Sequence, residues 1–295
     1  MMGLSTSTNI LCERPDGSVL PVEETLRQAR AAGFDTFDMS FYEWAWEGSD
    51  FFSEDWEKWA ERIAETADEL GGSFKQCHAY TYDFLNPVFS DCEKREQQEK
   101  LVRRSLDCCR ILGADIIVTH PGMDVSAKYP REDVWQKNMD YLKRFLQYAD
   151  GRGMKVAVEN MYSCCGHPEE VFFALPEEII AFIDEFHDPR MGVCWDFEHG
   201  AIQDMNQPEI IRKLGGRLMA THVSDTVSKD FEPFMHVMPF TGMTDWKPIM
   251  QALKETGYEG AFSFEAHNFT KKLPDELIPT ALKFSWEIGR YLLEL

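Results

Sequence analysis

Hydrophobic positions in this chain follow two periods in turn. Short β-rich runs at residues 4–9, 36–41, 73–79, 115–120, 155–160, 192–196, 218–223 and 261–265 read as strands. Stretches near 22–32, 55–70, 93–112, 131–152, 177–186, 208–214, 245–256 and 275–293 instead carry one apolar face at helical spacing. Each strand is followed by a helix, and several helices run into a glycine (Gly33, Gly71, Gly113, Gly153, Gly215, Gly257) that tolerates the left-handed conformation of a helix stop. Strict alternation implies a parallel α/β sheet, which eight units either close into a barrel or leave open and doubly wound. No GxGxxG follows the first strand, which weighs against the open dinucleotide-binding form. The expectation is a (β/α)8 TIM barrel occupying residues 1–295 as one domain, a length that suits such a barrel with modest insertions.

Composition narrows the partners. With 44% hydrophobic and 27% charged residues the chain resembles ordinary globular proteins, and no apolar run is long enough for a membrane span. The opening residues lack the basic and apolar regions of a secretion signal, so the expected compartment is the cytoplasm. Thirty basic against 51 acidic side chains give a net charge of −21, which repels a phosphate backbone and argues against nucleic acid as partner. Eight cysteines without a CxxC signal neither a disulfide framework nor a cysteine zinc site.

In a TIM barrel the chemistry sits where strands end, at the C-terminal face. Here those ends carry His78, His120, Glu159, Asp196 with His199 three residues on, His222, and Glu265 with His267 close behind. Four consecutive strands thus offer Glu159, Asp196, His222 and Glu265, one each, and barrel closure aims them inward. Three carboxylates and one imidazole make a hard, oxygen-rich set suited to one divalent ion, Mn2+ or Mg2+ first and Co2+ or Zn2+ as further occupants. Without a cation, three converging buried carboxylates repel one another. A set free of thiolate is not expected to prefer copper. A second metal at His78 and His120 lacks an obvious bridging acid. His199 and His236 are expected to contact substrate or leaving group, with His78 and His120 as further contacts. Trp44, in an aromatic cluster with Phe41, Trp46, Tyr80, Tyr82 and Phe84, is a candidate wall for a sugar pocket, although such rings also serve packing or a homo-oligomer contact.

The segments VEN at 158–160, WDFEH at 195–199, HVSD at 222–225, HVMPFTGMTDW at 236–246 and FSFEAH at 262–267 resemble the sugar phosphate isomerase/epimerase superfamily. These xylose isomerase-like TIM barrels include ketose epimerases, inosose dehydratases and zinc apurinic endonucleases. The resemblance spans essentially the whole chain. In ketose epimerases two glutamates, an aspartate and a histidine hold the metal; Glu159, Asp196, His222 and Glu265 match them, and His199 matches a substrate-contacting histidine. The chain departs from that pattern at Cys165, where a glutamate is usual, and at Ser228 and Lys229, where an arginine is usual. It departs from the endonucleases at Phe234, where they carry an aspartate, and from the family's glycine-rich turn at Phe240.

The resemblance implies a divalent-metal-dependent sugar or sugar phosphate isomerase or epimerase acting through a metal-stabilised enediolate. Glu159 and Glu265 are the expected proton-transfer residues: two acting on opposite faces give epimerisation, and one acting twice gives isomerisation. Loss of a β-hydroxyl from the same enolate makes a dehydratase of the inosose type, and a non-catalytic sugar-binding barrel is the remaining alternative.

Overall fold

The computed structural model describes residues 2–124, 128–163, 167–229 and 235–295. Cys164, Cys165 and Phe234 lie outside them. Eight parallel strands close into a barrel in sequence order: β1 (Gly3–Ser7), β2 (Thr36–Ser40), β3 (Ser73–His78), β4 (Ile116–Thr119), β5 (Lys155–Glu159), β6 (Met191–Asp196), β7 (Leu218–Val223) and β8 (Ala261–Phe264). Around them run α1 (Val22–Ala32), α2 (Trp56–Glu69), α3 (Cys92–Ile111), α4 (Arg131–Asp150), α5 (Pro176–Asp184), α6 (Phe197–Ile202), α7 (Gln207–Leu214), α8 (Trp246–Glu255), α9 (His267–Thr270) and α10 (Ile278–Glu294). The expected (β/α)8 barrel is therefore present, with every expected strand and helix in place. Among the described residues no helix is long and apolar enough to cross a membrane.

Helix stops follow local chemistry. Gly113 after α3 and Gly257 after α8 have φ of 73° and 68°, the left-handed geometry that a side chain resists. The sequence pattern did not show α6 and α9, because four to six residues are too few to display a period. α6 matters for the site: Asp196 caps it by accepting from the His199 amide at 2.8 Å, which fixes His199 one turn beyond the carboxylate.

Between strands and helices lies the large apolar core, with Trp59, Trp195, Trp246 and many phenylalanines fully buried. The barrel interior is divided. Small apolar side chains from β4 to β7 (Val118, Ala157, Cys194, Ala220) pack together on one side. Polar groups cross the other: Ser263 on β8 donates to Asp38 on β2 at 3.0 Å, and Gln76 on β3 donates to Asp38 at 2.7 Å and to the Thr221 carbonyl on β7 at 3.2 Å. Asp38 and Gln76 are register partners on the neighbouring strands β2 and β3, whereas β8–β2 and β3–β7 are not neighbours, so the Ser263–Asp38 and Gln76–Thr221 bonds run through the interior.

Candidate active site at the barrel mouth

Strand register brings the expected groups together. Glu159 ends β5 opposite Cys194 of β6, Asp196 ends β6 opposite His222 of β7, and Glu265 follows β8 directly. His222 Nδ1 lies 3.1 Å from Glu159 Oε1 and 3.1 Å from Glu265 Oε2. Ligand atoms of Glu159, Asp196, His222 and Glu265 all fall within 4.8 Å of one another. Glu159, Asp196 and His222 are almost wholly buried, and Glu265 is partly open to the mouth.

The donor set fits a divalent cation. Glu159 Oε2, Asp196 Oδ2 and His222 Nδ1 are buried without a hydrogen-bond partner, a costly arrangement that an ion relieves. The electrostatics agree. Burial pushes the Asp196 carboxyl above its usual range, with Glu159 and Glu265 adding to the effect against nearby histidines. Burial works the same way on Glu159, but the His222 imidazole and those of His120 and His78, all at ion-pair distance from its oxygens, outweigh it and hold the carboxyl well below its ordinary value. Burial opposes charge on His222, yet Cys194, Glu159, Glu265 and Asp38 together hold its imidazole well above the usual range.

His222 Nε2 faces Asp38 at 3.5 Å. With an ion displacing the Nδ1 proton, this pair would keep the other ring proton on the Asp38 side and free the Nδ1 lone pair, the arrangement that metal-binding histidines adopt with an outer carboxylate. Asn9, on the turn after β1, donates to Glu265 Oε1 at 3.1 Å and leaves Oε2 toward His222. Sequence reasoning missed Asp38, Gln76 and Asn9. A charged residue within the apolar run TFDMS was the one available signal, since its inward direction depends on closure.

The remaining expected residues fall into three groups. His78 donates from Nδ1 to the Ala79 carbonyl at 2.9 Å, and its Nε2 lies 3.0 Å from His120 Nε2. Both Nε2 atoms are 3.3 Å from Glu159 Oε2, so these three residues form a second set able to hold an ion. The bridging acid that the sequence did not reveal is thus Glu159 itself. His199 donates from Nδ1 to the Asn160 carbonyl at 2.6 Å, which fixes its tautomer. His236 sits at a left-handed φ of 49°; its amide donates to buried Glu198, and its ring stacks on His267 at 4.4 Å. Phe240 has φ of 72°, which explains why glycine suits that place in the family turn.

Two expectations change. Trp44 is mostly taken up by packing: the residue is 8% exposed and its ring lies 5.6 Å from Trp59, in a cluster with Phe41 and Phe51. The residue before it, Glu43, is the one coupled to the site, for burial and then Glu265 raise its carboxyl above the ordinary value while His78 opposes them. The region is also not free of sulfur. Cys194 offers a thiol within 4.8 Å of ligand atoms of Glu159 and His222, and burial pushes that thiol well above its usual value.

A family model described as xylose isomerase-like TIM barrel matches residues 26–286. The chain belongs to that family. An uncharacterised protein of Methanocaldococcus jannaschii is 25% identical over 196 residues, 62% of this chain and 64% of that protein. D-psicose 3-epimerase of Enterocloster bolteae is 32% identical over 89 residues, 30% of this chain and 27% of the enzyme. The chain therefore matches less than two thirds of the length of either. Among solved structures, D-psicose 3-epimerase with D-tagatose from Clostridium cellulolyticum H10 superposes with a TM-score of 0.77 at 15% identity, covering 100% of both chains. The IolI protein with a bound zinc atom gives 0.76 at 18% identity, covering 99% of this chain and 98% of that one. At these identities the likeness is one of fold.

Proposed function

We propose that the protein is a divalent-metal-dependent isomerase or epimerase of a small sugar, with the ion held by Glu159, Asp196, His222 and Glu265. The observation that carries this reading is that Glu159, Asp196, His222 and Glu265 bring ligand atoms within 4.8 Å of one another at the barrel mouth, with Asp196 Oδ2 and His222 Nδ1 buried and without a hydrogen-bond partner. Family membership and the stretch shared with D-psicose 3-epimerase support the sugar substrate.

An ion there supplies positive charge to a carbonyl and a neighbouring hydroxyl, which acidifies the C–H bond between them. The chain's own residues then move the proton. Glu159 and Glu265 flank His222, so one removes the proton and the other returns it to the opposite face for epimerisation, while return by the same group to the next carbon gives isomerisation. The two glutamates are unequal. The outer oxygen of Glu159 is held between two imidazoles, which weakens it as a base, whereas that of Glu265 accepts only a neutral amide hydrogen bond from Asn9 among the described residues. Glu265 is therefore the leading base. His199 and His236 are placed to orient hydroxyl groups. Glu43 favours a second reading, dehydration, because burial and then the charge of Glu265 raise its carboxyl above the ordinary value, the direction that suits a proton donor to a departing hydroxyl.

The test is proton exchange from D2O on a panel of ketoses, inososes and their phosphates, with metal content measured on the same preparations. Glu265→Gln should keep its metal through the amide oxygen and lose about 10²–10⁴-fold in rate, and Glu159→Gln should lose inversion while still exchanging on one face. Full turnover by both variants with metal bound would exclude the glutamates and turn attention to His199 and His236.

A further inference from the structure

Cys194 lies on β6 two residues before Asp196, fully buried, and it packs with Val118, Ala157 and Ala220. Strand register sets it opposite Glu159, and its Sγ, a Glu159 oxygen and a His222 nitrogen are all within 4.8 Å of one another. The second indication of a ligand is independent of the thiol. His222 Nδ1 is buried without a hydrogen-bond partner, so the trio presents an unused donor atom besides the thiol. Glu159 and His222 thus belong to two overlapping sets. One is completed by the carboxylates of Asp196 and Glu265, the other by sulfur on the apolar side of the barrel interior. Hard ions prefer the first kind of set and thiophilic ions the second.

We propose that Glu159, Cys194 and His222 form a second, softer ion position that takes a thiophilic divalent cation such as Cd2+ or Zn2+ through the Cys194 sulfur. It rests on the metal centre proposed above, because two residues are shared. Binding makes a metal–sulfur bond and releases the thiol proton to solvent, with no change of oxidation state. Mn2+ and Mg2+ stay with the oxygen-rich set, where Asp196 and Glu265 provide two further carboxylates. The two positions exclude each other, so the softer one is a route by which thiophilic ions displace the working metal.

Chelator-stripped protein titrated with Cd2+ or with Mn2+ tests this, with binding heat and sulfur-to-metal charge-transfer absorption as readouts. Cd2+ should produce that absorption in the wild type. The Cys194 component should vanish in Cys194→Ser and Cys194→Ala, and also when the wild type is first saturated with Mn2+. Cd2+ affinity should fall by about tenfold or more in the variants while Mn2+ affinity is retained. Absorption from exposed Cys92 would persist in both variants and ignore Mn2+, so it is separable. An absorption unchanged by both substitutions, insensitive to Mn2+, or never developed overturns the proposal; should neither variant fold, the Mn2+ competition on the wild type decides. Failure of the wild type to bind Mn2+ refutes the four-residue centre instead, and the dependence of the Cd2+ absorption on Cys194 then judges this inference alone.

Discussion

Asp38→Asn separates the part of the proposed metal centre that would hold the ion from the part that holds its histidine. Asp38 is 1% exposed; its Oδ2 accepts from Gln76 at 2.7 Å and from Ser263 at 3.0 Å, and it lies 3.5 Å from His222 Nε2. An asparagine oxygen at that place keeps the first two hydrogen bonds, so the barrel interior loses little. What disappears is the negative charge behind the imidazole. His222 then becomes a weaker ligand at Nδ1 and is no longer held to the tautomer that frees Nδ1 for the ion. Removing such an outer partner typically lowers metal affinity by about 10–100-fold, or about 1.4–2.8 kcal/mol. Alanine is the harsher control: it strands the Ser263 hydroxyl and leaves Gln76 only the Thr221 carbonyl, at about 1–3 kcal/mol for each buried group left unpaired. Calorimetric titration of stripped wild type and Asp38→Asn with Mn2+ or Zn2+ measures the effect, and thermal unfolding of the metal-free forms checks the fold. An unchanged affinity in a folded Asp38→Asn protein would refute the argument that Asp38 sets the ligand tautomer.

Three further outcomes follow from the same geometry. Because burial is outweighed at His222 and its value is raised, a metal must displace a proton there; apparent affinity should rise about tenfold per pH unit above the ordinary histidine value near 6.5 until the raised value is passed. The metal-free fold has the opposite sign, since charged His222 stabilises it at low pH and that contribution is lost as pH rises through the raised value; titrations at several pH values giving a flat affinity would contradict both statements. Trp44→Ala should cost about 3–5 kcal/mol in urea denaturation and leave KM for the sugar little changed, whereas intact stability with a raised KM would restore Trp44 as a substrate contact. Duplex DNA with an abasic site should show no retention in a gel shift at moderate salt, since a net charge of −21 repels it; tight, salt-sensitive retention would reverse that expectation.

Much of the architecture was legible in the chain because its signals are local. Period and glycine stops mark the strands and the longer helices, and the alternation of eight pairs implies a parallel sheet able to close into a barrel. The four proposed ligands were legible for a related reason: barrel strands deliver their last residues to one face, so the meeting of Glu159, Asp196, His222 and Glu265 could be expected from strand ends alone. Tertiary structure decided everything that depends on which distant residues share the interior. Asp38 and Gln76 meet through the register of β2 and β3, and Ser263 on β8 and the Thr221 carbonyl on β7 join them only because the barrel closes; nothing in their own neighbourhoods announces it. Side-chain direction was equally hidden at adjacent positions, where Trp44 packs on Trp59 while Glu43 couples to Glu265. Glu159 reads in sequence as one ligand among four, yet the fold sets its two oxygens against different partners, His222 on one side and the His78–His120 pair on the other. Local periodicity carries the path of the chain; the pairing of buried charges is a property of closure, because desolvation and Coulomb energy depend on distances that the linear order does not contain.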